Sequence, residues 1–366
     1  MNLASSARQS VRRVSSFTRT IPASFLRGGT SKGIFLHQSH LPQDKSKWDE
    51  IFLGLMGSPD PEYGRQLNGM GGGISSLSKI CVVQPASPEQ QKSLGVDVEY
   101  TFVQVGIRDT VIDYSGNCGN LSSMIGVFAL DEGMVNADAV NGQVTIRSFN
   151  TNTQKVVNTT FPVEESGLAD LSLPETRIAG VTGEASQIRL DFHKPGGART
   201  GKLMPSDAPI IRLEIKEVVV ASGTEDSSSA EQLRLLESLR REGAIQMGLD
   251  PNTQAQPKIA MLQPPSSSNS EAHVEIIALS MGVPHKAVPM TVGLCLGVAA
   301  SVKGTLPYTM IQSAVAESES GKPNLIKIRH PGGVVEVGAI FDAEGEVESA
   351  SVIRTGRRLM KGHVWY

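Results

Sequence analysis

Apolar and polar positions alternate in short runs along most of this chain, and only a few windows keep a helical period. Residues 21–36 (IPASFLRGGTSKGIFL) read as a strand, a Gly-rich turn and a second strand. The window 46–56 is helical, with Trp48, Ile51, Phe52 and Leu55 on one face. A Gly/Ser loop at 68–78 leads into a strand at 79–83, and 96–105 alternates as another. Residues 118–130 then form a buried helix opened by Asn117, with Leu121, Ile125, Phe128 and Ala129 apolar.

Strands follow at 144–149, 154–161 and 186–192, a Gly-rich loop at 195–205, a strand at 210–220 and a Ser-rich linker at 224–230. The window 231–247 (EQLRLLESLRREGAIQM) is an amphipathic helix whose leucines are assigned to the core. Strands at 258–262 and 273–279 precede a second small-residue helix at 288–303, and strands at 325–329, 334–337 and 347–354 close the chain. Many short strands with one buried helix in each half predict an α+β protein of two similar halves, and they argue against a doubly wound sheet. The halves are set at 21–190 plus 350–366 and at 191–349, after a leader at 1–20.

Composition narrows the function. The chain has 366 residues, 39% hydrophobic and 19% charged, with 37 glycines and only 5% aromatics. That bias suits tight turns and close backbone approach to a ligand, and it lacks the basic, aromatic-rich patch of a nucleic-acid binder. No apolar run approaches the ~20 residues of a membrane helix. Cys81, Cys118 and Cys295 form no CxxC pair and no Cys/His cluster, so neither a disulfide scaffold nor a metal site is indicated. Residues 1–20 carry four arginines and many serines, and the first acid is Asp44. Such a leader reads either as a mitochondrial transit peptide or as a basic tail on a cytoplasmic protein.

Four Gly-rich loops carry the candidate chemistry. In Asn117-Cys118-Gly119-Asn120 a loop turns into a helix, where free N–H groups and the dipole suit a carboxylate and favour a thiolate at Cys118. Taken singly, the same residues read first as an Asn cap over a packed cysteine. Asn68 opens the second loop, where Gly71, Gly72 and Gly73 permit an anion-binding nest and Ser75 and Ser76 add hydroxyls. Lys79 follows. Facing the site and desolvated, it would serve as a base; otherwise it is a solvated surface lysine. Arg27, Thr30 and Ser31 lie in the third loop (RGGTSKG, 27–33), and Thr200 and Lys202 in the fourth (HKPGGARTGK, 193–202). His285 sits beside a turn, as does His330. Together the loops argue for a small polyanionic ligand held by backbone amides. With no dinucleotide fingerprint and no acidic metal cluster, cofactor-free proton chemistry remains.

As a set these motifs resemble the 2-methylaconitate cis–trans isomerase and 3-methylitaconate isomerase family. The matching stretches are RGGTSKG at 27–33, NGMGGG at 68–73 with Ser78 and Lys79, NCGNLSS at 117–123, PGGARTGK at 195–202, HPGG at 330–333 and RTGRRLMKG at 354–362. They span residues 22–364. The resemblance implies the diaminopimelate-epimerase-like fold: two similar domains, each a mixed sheet around a central helix, with the site in the cleft between them. It also implies Lys79 as principal base, Cys118 beside the substrate, no cofactor, and a small carboxylic acid as substrate. Amino-acid epimerases of this fold have a second cysteine where this chain has Val283-Pro284-His285-Lys286-Ala287, which speaks against a two-cysteine mechanism. Family members usually carry an Asp and an Asn-Pro pair after the strand at 210–220. Here Glu217-Val-Val-Val-Ala-Ser-Gly223 stands instead, so the pocket rim differs. An aconitate Δ-isomerase, an alkyl-itaconate or alkyl-aconitate isomerase, an oxo-acid tautomerase and a silent acid-binding protein are the competing readings. The oligomeric state stays open, a homo-oligomer included.

Overall fold

The structure is a computed structural model that describes residues 20–204, 227–265, 271–311 and 324–366. Residues 1–19 of the leader, the strand expected at 210–220 and the altered rim at 217–223 lie outside the described residues.

The first sheet strands are β1 (Thr20–Gly28), β2 (Ser31–His37), β3 (Lys79–Pro85), β4 (Val98–Val105), β5 (Ile112–Asp113), β6 (Gln143–Asn150), β7 (Lys155–Pro162) and β8 (Ile188–His193). Then come β9 (Ala260–Gln263), β10 (Val274–Ser280), β11 (Val283–Pro284), β12 (Asn324–His330), β13 (Gly333–Phe341), β14 (Val347–Arg354) and β15 (Gly356–Trp365). The helices are α1 (Trp48–Met56), α2 (Pro88–Leu94), α3 (Ile125–Asp131), α4 (Ser227–Gln246), α5 (Met290–Ala299) and α6 (Leu306–Ile311).

Among the described residues the strands join in the order β11-β10-β12-β13-β14-β8-β7-β6-β4-β3-β2-β1-β15, with β5 beside β4 and β9 beside β10. The sheet is mixed: β2–β3, β4–β6 and β10–β12 are parallel, and the other neighbouring pairs are antiparallel. It wraps two helices. Around α3, Met124, Ile125, Val127 and Phe128 pack on Phe35, Cys81, Val83, Tyr100, Ile146 and Phe161. Around α5, Leu294, Leu296 and Val298 pack on Val274, Ile276, Ile326, Ile328, Val337 and Val352. A third core lies behind the first, where Trp48, Ile51, Phe52 and Leu55 of α1 cover Ile34, Leu36, Ile80 and Val82. Strands β2 and β3 are therefore buried on both faces, which explains the unbroken apolar runs GIFL and ICVV.

The two wrapped helices begin next to each other. A Cβ placed on Gly119, just before the α3 segment, would sit 3.1 Å from Met290 Cβ at the start of α5.

Several local expectations need correction. The helix read at 118–130 begins as a 3-10 turn at Leu121–Met124 and becomes α-helical only at Ile125. Asn117 is not its cap: the side-chain oxygen accepts from the Cys118 N–H at 2.8 Å, and its amide is drawn to Tyr100 and Ser122. The second helix is Met290–Ala299, shorter than 288–303, with Pro289 at its N-cap. The segment read as a linker to 230 already belongs to α4 from Ser227. The α4 leucines are not core, since Leu235 is exposed and Leu233, Leu236 and Leu239 are half-buried. Finally, β15 lies beyond the last strand expected at 347–354; its RRLMKGH stretch is charged and mostly exposed. It is held by pairing with β1, starting at Thr20 and Trp365.

Candidate active site

Lys79 is the first residue of β3 and stands opposite Gln104 of β4. Its ammonium nitrogen Nζ donates to Gln104 Oε1 at 2.5 Å. The Gln104 amide cannot flip freely, because Nε2 donates to the Ser78 carbonyl at 2.8 Å and the Ser75 carbonyl at 3.2 Å. The Phe102 ring walls the other side, its centroid 5.0 Å from Nζ. Lys79 is only 9% exposed. Burial lowers its pKa below the ordinary lysine value, while Cys118, Cys81 and Asp113 act weakly in the opposite direction. Removing an ammonium from water favours the neutral amine, which is the form that can accept a proton.

Cys118 is half-buried, with Sγ 3.8 Å from the Ser31 hydroxyl. Its carbonyl accepts from the Ser122 N–H at 2.9 Å, which starts the helical segment. Asn117 is anchored beneath it: Nδ2 donates to the Tyr100 hydroxyl at 3.0 Å, and Tyr100 and Ser122 hydroxyls are 3.0 Å apart. The Cys118 N–H is spent on Asn117. The Gly119 and Asn120 N–H groups meet no acceptor among the described residues. The turn rests directly on the loop at 27–33: a Cβ on Gly28 would fall 2.4 Å from the Asn120 carbonyl oxygen, and one on Gly29 2.2 Å from Asn120 Oδ1. Gly29 also has φ +51°, so that position needs glycine twice over.

A cleft joins these groups to the residues before and at the start of α5. Ser31, Ser75, Ser76, Lys79, Asn117, Cys118, Gly119, Asn120 and His285, all expected from sequence, line it. Ser75 and Ser280 hydroxyls approach to 3.3 Å across it. His285 Nδ1 accepts from the Ala287 N–H, and burial lowers its pKa, so the neutral ring carries its proton on Nε2. The lining also includes Gln104, Asp113, Lys258, Met290 and Thr291. Lys258 is half-buried, and its Nζ donates to the Ala255 carbonyl at 2.5 Å. Burial, with the charge of Lys79 as a second cause, pulls its pKa to about 8. Lys258 thus stays mostly protonated at neutral pH.

The remaining expected residues lie elsewhere. Arg27 turns to backbone, its Nη1 donating to the Gly29 and Thr355 carbonyls at 3.0 Å each. Asn68 and Gly72 are exposed. The Gly71 and Gly73 N–H groups are not a nest, since they donate to the Met56 carbonyl at 3.2 Å and to Gln66 Oε1 at 3.0 Å. The loop's glycines are required by packing instead, as a Cβ on Gly71 would meet Gln66 Oε1 at 2.4 Å. Thr200 donates to the Lys202 carbonyl in a turn away from the cleft, and Lys202 is exposed.

Thr30 lines a second, small cavity with Asn120, Ala287, Met290, His330 and Arg354. Sequence reasoning missed Gln104, Lys258 and Arg354 as site residues. Gln104 was accessible in principle, being the polar break in an alternating strand that pairs with the Lys79 strand. Lys258 follows Gln-Pro in a loop and carries no pattern that separates it from a surface lysine. Among the described residues no group of three His, Cys, Asp or Glu side chains is arranged to hold a metal. No helix there is long and apolar enough to cross a membrane.

Residues 18–228 and 209–366 match the family model described as PrpF protein. The 3-methylitaconate isomerase of Eubacterium barkeri is 33% identical over 94% of this chain and 97% of its own. The 2-methyl-aconitate isomerase of Shewanella oneidensis is 31% identical over 94% of this chain and 96% of its own. A crystal structure of methylitaconate-delta-isomerase superposes with TM-score 0.69 at 31% identity, covering 94% of this chain and 95% of that one. With that match the fold class is diaminopimelate-epimerase-like α+β.

Proposed function

This chain belongs to the PrpF family, and from that premise we propose that it is a cofactor-independent isomerase of unsaturated di- or tricarboxylic acids. The observation that carries the reading is a buried lysine, biased toward its neutral form and fixed by Gln104, beside two unspent backbone N–H groups in one cleft. By their names, the two relatives isomerise an unsaturated diacid and an unsaturated triacid, and moving one allylic proton is a step that suits either.

In the proposed step, neutral Lys79 takes a proton from the saturated carbon allylic to a double bond that is itself conjugated with a carboxylate. The C–H electrons pass into the π system and leave a dienolate, with the negative charge on a carboxylate oxygen. N–H groups of Gly119 and Asn120 donate to that oxygen, and the Lys258 ammonium balances its charge. Lys79, now protonated, returns the proton. Delivery to the far carbon shifts the double bond; rotation about the weakened bond before delivery to the original carbon exchanges cis for trans. Because the acid is weak, fixed donors are needed to lower a barrier the base alone cannot. The neutral His285 N–H and the Ser75 and Ser76 hydroxyls orient the remaining carboxylates.

Proton NMR in D₂O tests this with purified protein and a panel of methylaconitate, aconitate, itaconate, methylitaconate and 4-oxo acids. The expected result is deuterium entering the allylic position of at least one acid, with appearance of its isomer. If acids bind calorimetrically but none exchanges, the chain is an acid-binding protein and the isomerase reading is wrong. Exchange confined to the oxo acids would favour the tautomerase alternative.

A further inference from the structure

Arg354, the last residue of β14, is a buried cation with no carboxylate beside it among the described residues. It is 4% exposed. Its Nη1 donates to the carbonyl of Ile353 at 2.8 Å, its Nη2 lies 2.6 Å from the thioether sulfur of Met290, and its Nε has no acceptor among the described residues. Burial alone acts on the group and lowers its pKa to about 9, so it remains charged at neutral pH. A guanidinium offers five donors and no acceptor, and a thioether is too weak an acceptor to balance it. Buried charges of this kind are normally paired.

The groups around it are also set to donate. The cavity is lined by Thr30, Asn120, His330 and Arg354 on its polar side and by Ala179, Ala287 and Val335 among its apolar walls. Asn120 Nδ2 donates to Thr30 Oγ1 at 3.0 Å, which leaves the threonine hydroxyl proton for another acceptor. His330 Nδ1 accepts from the Gly332 N–H at 3.1 Å. Burial and the Arg354 charge hold that ring to a pKa of about 4, so it is neutral and its proton sits on Nε2. Asn120 and Met290 line both this cavity and the Lys79 cleft. The Met290 side chain and the Asn120 turn thus stand between the two spaces.

We propose that the Arg354 cavity is a carboxylate subsite that takes the third carboxylate of a tricarboxylic acid whose reacting carbon lies at Lys79. This deepens the isomerase reading and rests on it. A methionine chain has three rotatable bonds and no strong partner to lose, so Met290 swings aside when a carboxylate enters and replaces the thioether as the guanidinium's acceptor. The walls shared with the cleft, Asn120 and Met290, favour a group carried by the substrate over a free anion. A dicarboxylic acid would leave the subsite empty.

Calorimetric binding of two saturated, unreactive acids separates this inference from the isomerase reading, because neither acid needs turnover. Propane-1,2,3-tricarboxylate reports on the subsite, and methylsuccinate does not. Losing charge-assisted hydrogen bonds to an anion amounts to about 10- to 150-fold in affinity. Arg354→Gln should therefore weaken the triacid by that factor and the diacid less than about threefold, with Arg354→Lys recovering part of the loss. Equal losses for both acids, or none for either, overturn the proposal. Should R354Q fail to fold, Ala287→Leu fills the cavity without removing the charge, and the same selective loss is expected from it. Acetate titrated in the presence of methylsuccinate tests the free-anion source. An acetate site that depends on Arg354 while triacid affinity does not would also overturn the proposal.

Discussion

Lys79 and Gln104 face each other across neighbouring antiparallel strands, and the glutamine's two donors are committed to the Ser75 and Ser78 carbonyls. Gln104 can therefore offer Lys79 only its oxygen. A neutral acceptor holds the amine in place without the pKa increase that a carboxylate would cause. This arrangement keeps a buried lysine both oriented and able to lose its proton.

Gln104→Glu separates these two properties. The carboxylate would still accept from Lys79, but its charge would stabilise the ammonium and raise the lysine pKa. Activity that requires neutral Lys79 rises with pH through that pKa. The rising limb of the kcat/KM profile should consequently move upward by about one pH unit or more in Q104E, and the melting temperature should fall, because the Ser75 and Ser78 carbonyls lose their donor. A limb that stays in place or moves down would mean Lys79 is not the group titrating in it.

Lys258 gives a prediction about stability. Its folded pKa of about 8 lies below the 10.5 of a solvated lysine. Between those values the unfolded chain binds more protons, so stability rises with pH across that window, and the full penalty is present below about 8. A displacement of that size corresponds to roughly 3 kcal/mol at neutral pH. Lys258→Met should stabilise the protein near pH 7 by an amount of that order. The advantage over wild type should shrink as pH climbs from about 8 toward 10.5. The same variant should bind substrate more weakly, because an ammonium at the cleft is gone. Denaturant titrations at several pH values check the first claim and KM the second; a gap that is constant with pH would contradict the charge argument.

Much of the fold was legible from residue spacing because burial on one face or both leaves a period that survives in the sequence. Strands β2 and β3 announce themselves as apolar runs, α1 as a three-and-four spacing, and the loops as glycine clusters. What escaped is held by partners distant in sequence. Strand β15 is charged and exposed, yet it is fixed by a ladder to β1 more than 300 residues earlier. The α3 segment begins late because Asn117 is claimed by Tyr100 and Ser122, a choice no local cap rule contains. In the site, Lys79 and Cys118 were found through their glycine-rich surroundings. Lys258 and Arg354 were not, since a cation lining a cleft and a surface cation look alike until burial is known.

The wrapped helices depend on glycines at their contact faces. A Cβ on Gly297 of α5 would stand 2.6 Å from Val337 Cγ2 on β13, well inside contact distance. Gly297→Ala should cost about 1–3 kcal/mol as an overpacked core position. Val337→Ala alone should also destabilise, by opening space. Together they should cost less than their sum by about 1 kcal/mol, since each removes the other's clash or void. Additive losses in a denaturant double-mutant cycle would show that the helix shifts as a body and that the close approach is not limiting.

Cys118 and Lys79 line the same cleft, and the proposed chemistry divides their work unequally. In an allylic shift one base can remove the proton and return it on the same face of the substrate. A second acid on the opposite face is needed only for inversion at a single carbon, and the stretch from Val283 to Ala287 supplies no cysteine for it. The thiol is then a neighbour of the reacting carbon, and the N–H groups of Gly119 and Asn120, which do not depend on sulfur, hold the developing charge. Lys79→Ala should lower kcat for proton exchange by at least about 10²–10⁴, the usual contribution of a general base, with far-UV circular dichroism unchanged. Cys118→Ser keeps the backbone donors and a small side chain, and should retain activity within about 100-fold of wild type. Deuterium exchange at the allylic carbon measures both variants under one condition. An inactive C118S alongside a K79A enzyme of near-normal kcat would reverse the roles and make the thiol the base.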